Sequence, residues 1–393
     1  MEISIVERLE ELPAAEWDRL AGPDHNPFLS HAFLAGLERH GCVGAKWGWE
    51  PQHLTLRDQG RLVGAVPLYL KHNSYGELVF DGAWAEAYRR GGGRYYPKLV
   101  SAIPYSPVGG PRMLVAPVPA AGEGGVAGDA RWMAAVSDQL TEAALEHART
   151  LGVSSLHWLF PTEPQARALT EAGRPFLPRN DCQFHWYNRG YRDFDDFLDG
   201  LTAQRRKQIR RERRKAVEAG VELKILHGGE VTDSQWAHFH RFYVSTFDRR
   251  GGYPTLARGF FQEIGARLGD QVVLILAYQA GLEIAGALCL RSTDTLYGRH
   301  WGCDRELDGL HFEACYYQGI DYCIRHGLTR FEPGAQGEHK VWRGFEPTPT
   351  WSAHWLADPA FHRMIARHLQ QERDGVARYI EEMKGHLPFR SPE

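Results

Sequence analysis

Leu54-Thr-Leu-Arg-Asp-Gln-Gly-Arg-Leu-Val-Gly64-Ala-Val-Pro-Leu68 and Leu274-Ile-Leu-Ala-Tyr-Gln-Ala-Gly-Leu-Glu-Ile-Ala-Gly286-Ala-Leu-Cys-Leu290 are one pattern written twice. Each holds an apolar strand, a tight polar turn, and a second strand carrying Gly-Ala-Val/Leu-x-Leu, which reads as a β-hairpin. A helix, a glycine and a short strand ending in proline follow each copy. In the first half the helix presents Trp132, Val136, Leu140, Ala143 and Ala144, then Gly152, a strand over 154–160, and Pro161. In the second it presents Phe312, Cys315, Tyr316, Ile320, Cys323 and Ile324, then Gly327, a strand around Phe331, and Pro333. The spacing is the 3.6-residue period of a helix lying on a sheet, and glycine is the expected stop. The repeat predicts two related α/β (α+β) domains, over 1–185 and 186–393.

The length agrees, since 393 residues exceed one ordinary core. A 43% hydrophobic and 24% charged composition is globular. The formal net charge of −3 excludes a bulk electrostatic case for nucleic acid or membrane, so such a role needs a local patch. The acidic start Met1-Glu-Ile-Ser-Ile-Val-Glu lacks a signal's apolar core, and the apolar run 272–278 is a strand's length. The expected location is the cytoplasm, with no integral membrane segment. Six cysteines without a C-x-x-C pair read as reduced thiols. His311 and Cys315 share a helical face but Cys323 lies two turns on, so with His326 they form no tetrahedron, and no metal is expected.

The first copy carries a long insertion, about 72–125, too aromatic to be disordered. Its Tyr88, Arg94, Tyr96 and Lys98 either grip an anionic, ring-bearing ligand or belong to a cap over a sheet edge. The second half opens with a helix over 204–217 that has eight basic residues between 205 and 215 and a single acid, Glu212. Arg205, Lys207, Arg210 and Arg211 are the candidate phosphate ligands; a solvated charged face is the alternative. The stretch from Arg330 to Phe345 sets Glu332, Gln336, Glu338, His339, Lys340 and Arg343 among glycines beside a strand end, which points to a site.

These features, with Tyr-Tyr-Pro-Lys-Leu (95–99), Leu-His-Trp-Leu-Phe-Pro (156–161), Gln-Phe-His-Trp (183–186), Phe-Glu-Ala-Cys-Tyr-Tyr-Gln-Gly-Ile-Asp-Tyr-Cys (312–323) and Phe-Glu-Pro-Gly-Ala-Gln-Gly-Glu-His-Lys (331–340), resemble the FemAB-like branch of the GNAT acyltransferase superfamily. The resemblance spans nearly the whole chain and is nearest the subfamily often labelled "peptidoglycan biosynthesis protein". It implies tandem GNAT-like domains, each a mixed, mostly antiparallel sheet flanked by helices. The helical arm of some relatives is absent, since the connection at Arg249-Arg-Gly-Gly-Tyr253 is short.

The activity implied is aminoacyl transfer from aminoacyl-tRNA or a similar activated donor to an amine of a peptidoglycan precursor or other anionic substrate. Lys340, matching the lysine of the family's closing strand, would stabilise the oxyanion or a leaving phosphate-bearing ribose; Glu338 or His339 would take the amine proton and Glu332 would orient them. Gln336 and Arg343 join the substrate-binding set. Partners would be aminoacyl-tRNA or a phosphate-bearing small molecule, with no stable protein partner implied. No cofactor is expected: where GNAT enzymes carry Arg/Gln-x-x-Gly-x-Gly/Ala for acyl-CoA, this chain has Arg305-Glu-Leu-Asp-Gly309-Leu-His-Phe. The competing readings are an acyl-CoA-dependent N-acetyltransferase on a small amine and a non-catalytic anion-binding module.

Overall fold

The computed structural model describes residues 1–22, 26–117, 125–335 and 337–390. Within them no helix is long and apolar enough to cross a membrane. The chain divides into two compact units, Met1–Asp181 with Pro349–Ala377 and Cys182–Thr348 with Arg378–Glu393. Each unit is a mixed, mostly antiparallel sheet structure flanked by helices, the tandem GNAT-like architecture expected above.

The first unit contains β1 (Glu2–Val6), β2 (Trp49–Pro51), β3 (His53–Asp58), β4 (Arg61–Val66), β5 (Leu68–Lys71), β6 (Lys98–Ser101), β7 (Leu114–Val115), β8 (Ser155–Leu159) and the start of β9 (Leu177–Tyr187). They form one sheet in the order β1-β3-β4-β7, and a second with β8, β6, β5 and β2 side by side. The second unit holds β10 (Val221–His227), β11 (Val272–Gln279), β12 (Leu282–Arg291), β13 (Thr295–Cys303), β14 (Arg330–Glu332) and the start of β15 (Glu346–Leu356). Here the order is β10-β11-β12-β13-β14-β9.

Both repeated hairpins are present, as β3–β4 and β11–β12. Each turns through two residues with positive φ, Gln59 (47°) and Gly60 (80°) in one, Ala280 (52°) and Gly281 (78°) in the other. That geometry matches the right-handed twist of the strands it joins. Gly64 pairs with Leu56 and Gly286 with Leu276. A Cβ would stand 2.9 Å from Val136 at the first and 2.9 Å from Phe239 at the second. Glycine therefore lets helices Gly125–Thr150 and Asp233–Arg250 settle onto their sheets. The copies part at Pro67: β4 ends at Val66, and Leu68 begins a strand of the other sheet. Proline has no N–H to continue the ladder, so the first unit's sheet breaks there.

A parallel pair is present in each unit, and its continuation positions the site. In the first unit β6 and β8 pair from Leu99↔Leu156 to Ser101↔Trp158. The chain beyond them is sealed by its own loop. Gly110 N donates to Phe160 O at 3.1 Å, and the fully buried Arg112 donates to the carbonyls of Leu159 and Val108, both at 2.7 Å. In the second unit β13 and β14 pair only from Thr295↔Arg330 to Tyr297↔Glu332. Beyond Tyr297, β13 runs on to Cys303 bonded to β12 alone. That gap stays open.

Candidate functional site

A cavity of about 240 Å³ occupies the gap beside β13 in the second unit. Helix Asp233–Arg250 contributes Tyr243, Thr246, Phe247 and Arg250; β13 contributes Arg299, His300 and Trp301. Its other wall is the segment after β13, with His311, Cys315 and Tyr316, and Pro333 follows β14. Residues Glu313–Tyr317 form a π-turn between helical segments Leu310–Phe312 and Gln318–Arg325. Such turns often mark working positions. Arg299 is the extra residue of a β-bulge, since Leu288 faces His300 while Cys289 faces Gly298. A bulge re-aims a side chain that strict alternation would place elsewhere.

The electrostatics of this cavity are one-sided. No aspartate or glutamate lines it among the described residues. Burial pushes His311 down to about 4, helped by the charges of Arg250, Lys340 and Arg343, and drives His300 well below its ordinary value. Both imidazoles are therefore neutral at pH 7. Burial pushes Arg299 down to about 10, so it keeps its charge.

The closing stretch stands beside this cavity. Within it Glu338–Arg343 winds into a 3-10 helix. Lys340 is 2% exposed, donates to Gly334 O at 2.7 Å, and is pushed by burial down to about 7. Glu332 is buried and pushed up to about 7 by desolvation, against the pull of Arg330 at 3.2 Å. Its Oε2 has no hydrogen-bond partner among the described residues. Neither lines the cavity, but both adjoin the Pro333–Gly334 wall. His339 is hydrogen-bonded to the Tyr316 hydroxyl at 2.9 Å and so backs a cavity residue. Glu338 is exposed and accepts from Tyr379 at 2.8 Å. Arg343 is buried, 2.9 Å from both Glu212 oxygens and 3.7 Å over the Phe312 ring. Gln336 lies outside the described residues.

The basic helix spans Ala203–Glu218, with Ile209 and Ala216 buried. Glu212, the one acid between 205 and 215, serves Arg343 and the Tyr317 hydroxyl. Arg206 pairs with Asp199 at 2.9 Å, Arg210 with Asp195 at 3.1 Å, Arg213 with Glu313 at 3.1 Å, and Lys215 with Asp308. Arg205 donates to Gln208 and lies 5.1 Å over Trp342. Lys207, Arg211 and Arg214 are exposed, with no ion-pair or hydrogen-bond partner among the described residues. Their spacing of four and three puts them on one stripe.

The first unit's candidates form no open anion grip. Lys98 is fully buried, donating to Glu77 at 2.8 Å, to Ser74 at 3.0 Å, and to Asp81. Burial alone would lower Lys98, but the two carboxylates outweigh it and raise it. Against the upward pull of burial, Lys98 holds Asp81 well below the usual carboxylate range, while desolvation pushes Glu77 up to about 7. Tyr96 bonds Ser74 at 2.7 Å, and Tyr88 packs edge-on against Phe361 at 4.7 Å. Arg94 alone of the four is exposed. The sequence offered no cue to Glu77 and Asp81 as partners of Lys98. The cavity residues did leave a signal: Gly298-Arg-His-Trp-Gly302 interrupts an otherwise apolar central strand with polar groups and glycines.

Residues 8–391 match the FemAB_like family, described as peptidoglycan biosynthesis/recognition. No curated protein matches the chain. Among solved structures it is similar to FemX, at 11% identity and a TM-score of 0.53, over 93% of this chain and 100% of that one. It is also similar to the C-terminal DUF2156 domain assigned to a lysylphosphatidylglycerol synthetase of Agrobacterium fabrum, at 8% identity and a TM-score of 0.53, over 91% and 95%. A tandem GNAT protein from the clavulanic acid biosynthesis pathway aligns at 14% identity and a TM-score of 0.42, over 91% and 99%. For the first two of these structures the likeness is one of fold.

Proposed function

Because the chain belongs to the FemAB-like family, we propose that it is an acyltransferase forming an amide on an amine, with an activated aminoacyl ester as donor and a peptidoglycan-precursor amine as acceptor. The observation that carries this reading is the acid-free, positively charged cavity where β13 leaves β14. An amine entering a positive field loses its proton more readily, because the charged form is disfavoured. The free amine is the nucleophile. It attacks the acyl carbon, the ester C–O bond breaks, and the proton it sheds ends on the leaving alkoxide.

The tetrahedral oxyanion is served by the Tyr316 hydroxyl, which His339 backs, and by Arg299. Glu332 sits behind the Pro333 wall, drawn toward Arg330, and orients that wall without meeting the amine itself. Lys340 supports the Pro333–Gly334 wall and adds to the positive field. An acyl-CoA donor fits less well. The cavity of about 590 Å³ by the 304–309 loop is lined by Glu306 and Asp308 as well as Arg249 and Arg250, so carboxylates would face a pyrophosphate there.

The test incubates the protein with tRNA charged with all twenty amino acids and a soluble peptidoglycan precursor, followed by mass spectrometry of the precursor. A gain of one aminoacyl residue, abolished by ribonuclease and cut at least tenfold in Tyr316→Phe, is expected. Acetylation from acetyl-CoA instead would transfer the reaction to the acetyltransferase class. No modification from either donor would remove the proposal.

A further inference from the structure

Amide formation from an amine and an ester leaves a proton to be carried from the attacking nitrogen to the departing oxygen. The nearby carboxylates do not carry it. Glu332 leans toward Arg330, Glu338 is exposed and bonded to Tyr379, and no acid lines the cavity among the described residues. Of the cavity's own groups, Thr246 donates its hydroxyl to Trp301 O at 2.7 Å, burial holds the Cys315 thiol well above its ordinary value, and Tyr316 is engaged by His339. Two imidazoles remain, His300 and His311.

His311 differs from His300 in where it stands. It borders both the cavity of about 240 Å³ in the β13 gap and the cavity of about 590 Å³ by the 304–309 loop, whereas His300 borders only the first. The half-buried His311 ring has no hydrogen-bond or ion-pair partner among the described residues. Trp301, Phe312 and Tyr316 meet it edge-on, with ring centroids 5.5, 5.5 and 5.4 Å away. That packing fixes the plane of the imidazole and spares its nitrogens. Because Tyr316 is its ring neighbour, the oxyanion donor and His311 address the same reacting carbon.

We propose that His311 is the proton shuttle of the transfer. The inference rests on the acyl-transfer reading above, since it names the carrier of that reaction's proton. In the tetrahedral adduct the nitrogen is an ammonium. One of its N–H bonds breaks toward a ring nitrogen of His311, which becomes an imidazolium. As the ester C–O bond breaks, the imidazolium gives the same proton to the departing oxygen and the ring returns to neutral. Burial, with the charges of His339, Arg250, Lys340 and Arg343, pushes His311 down to about 4. The resting ring is therefore unprotonated and ready to accept, and the imidazolium hands its proton on to the far more basic alkoxide.

Two measurements test this. Carbethoxylation of the parent protein at pH 7, read by peptide mass spectrometry, needs no substrate and reports whether His311 is a neutral, reachable imidazole. His311 is expected to react much faster than the buried, hydrogen-bonded His157 and His354, and an equal or slower reaction would overturn the proposal. In the tRNA-dependent assay, His311→Ala is expected to lose about a hundredfold in kcat with KM nearly unchanged. His311→Gln, which keeps polarity and much of the volume, is expected to be comparably slow. Added imidazole should restore His311→Ala by about tenfold, and pyrazole, a ring of the same size but a far weaker base, should restore little. Parental turnover in either variant, a loss confined to KM, or equal restoration by both rings would overturn the shuttle alone. Absence of transfer by the parent would instead sink the acyl-transfer reading, and the shuttle with it.

Discussion

Arg343 Nη2 lies 2.9 Å from Oε1 and 2.9 Å from Oε2 of Glu212, and the Tyr317 hydroxyl shares that carboxylate. The acid set among the eight basic residues of this helix is thus spent on the turn that carries Lys340, not on its cationic neighbours. Breaking a buried pair strands the surviving charge, at a cost of about 3–5 kcal/mol. Glu212→Ala should therefore lose about that much stability in urea denaturation, and Glu212→Gln less, since it keeps hydrogen bonds. A double-mutant cycle with Arg343→Ala should show coupling of at least about 1 kcal/mol. Additive losses would mean the pair does not hold the turn.

Lys340 predicts a pH dependence with a definite sign. Its folded value of about 7 lies below the ordinary 10.5 of lysine. Between those values the unfolded chain binds a proton that the folded chain does not, so stability rises with pH, by on the order of 1.4 kcal/mol per unit at most. Below pH 7 both states are protonated and the full penalty of burying the ammonium is present. Lys340→Met should accordingly be most stabilised relative to the parent at pH 6, and its advantage should shrink steadily toward pH 10. Chemical denaturation at pH 6, 8 and 9.5 checks this, and a constant difference across that range would show that Lys340 is not buried as a free amine.

Much of this architecture could be read beforehand because it is local. Two-residue turns, glycines opposite leucines and a 3.6-residue apolar period are statements about neighbours, and the hairpins β3–β4 and β11–β12 obeyed them. The fate of Pro67 was less legible, since it depends on which sheet offers Leu68 a partner. The site was legible only in part. Lys340 and His339 each back the cavity wall, through Gly334 and Tyr316, while Glu332 leans toward Arg330. The wall itself draws Tyr243 and Arg250 from a distant helix and Arg299 from a bulge, and a bulge shifts register in three dimensions without changing the residue spacing. Lys98 misled for a related reason: a lysine in an aromatic, glycine-rich stretch looks exposed until Glu77 and Asp81 fold over it.

Arg112 predicts how the first unit keeps its own gap closed. Its guanidinium is fully buried and is bonded only to backbone carbonyls, those of Leu159, Val108, Gly110 and Pro111. Burial pushes it down to about 9. Removing the side chain strands several buried acceptors at about 1–3 kcal/mol each. Arg112→Ala should lower stability by at least about 3 kcal/mol, and hydrogen exchange should speed up at Gly110, whose N–H bonds Phe160 O. Unchanged exchange at Gly110 would show that the loop closes the gap without the arginine.

The stripe Lys207, Arg211, Arg214 predicts where phosphates dock. Arg206, Arg210 and Arg213, one residue back along the helix, already face Asp199, Asp195 and Glu313. A phosphate polyanion therefore meets the unpaired stripe first, and each contact made there releases counterions. Three contacts correspond to a log–log salt slope of roughly −2 to −3. In fluorescence anisotropy with uncharged tRNA between 50 and 200 mM salt, the triple alanine variant should lose about that much slope. Arg206→Ala should leave the slope nearly unchanged, because its charge is already met within the helix's own acidic approach. If the triple variant binds tRNA with the parent's slope, the stripe is a solvated face and the phosphates are held elsewhere.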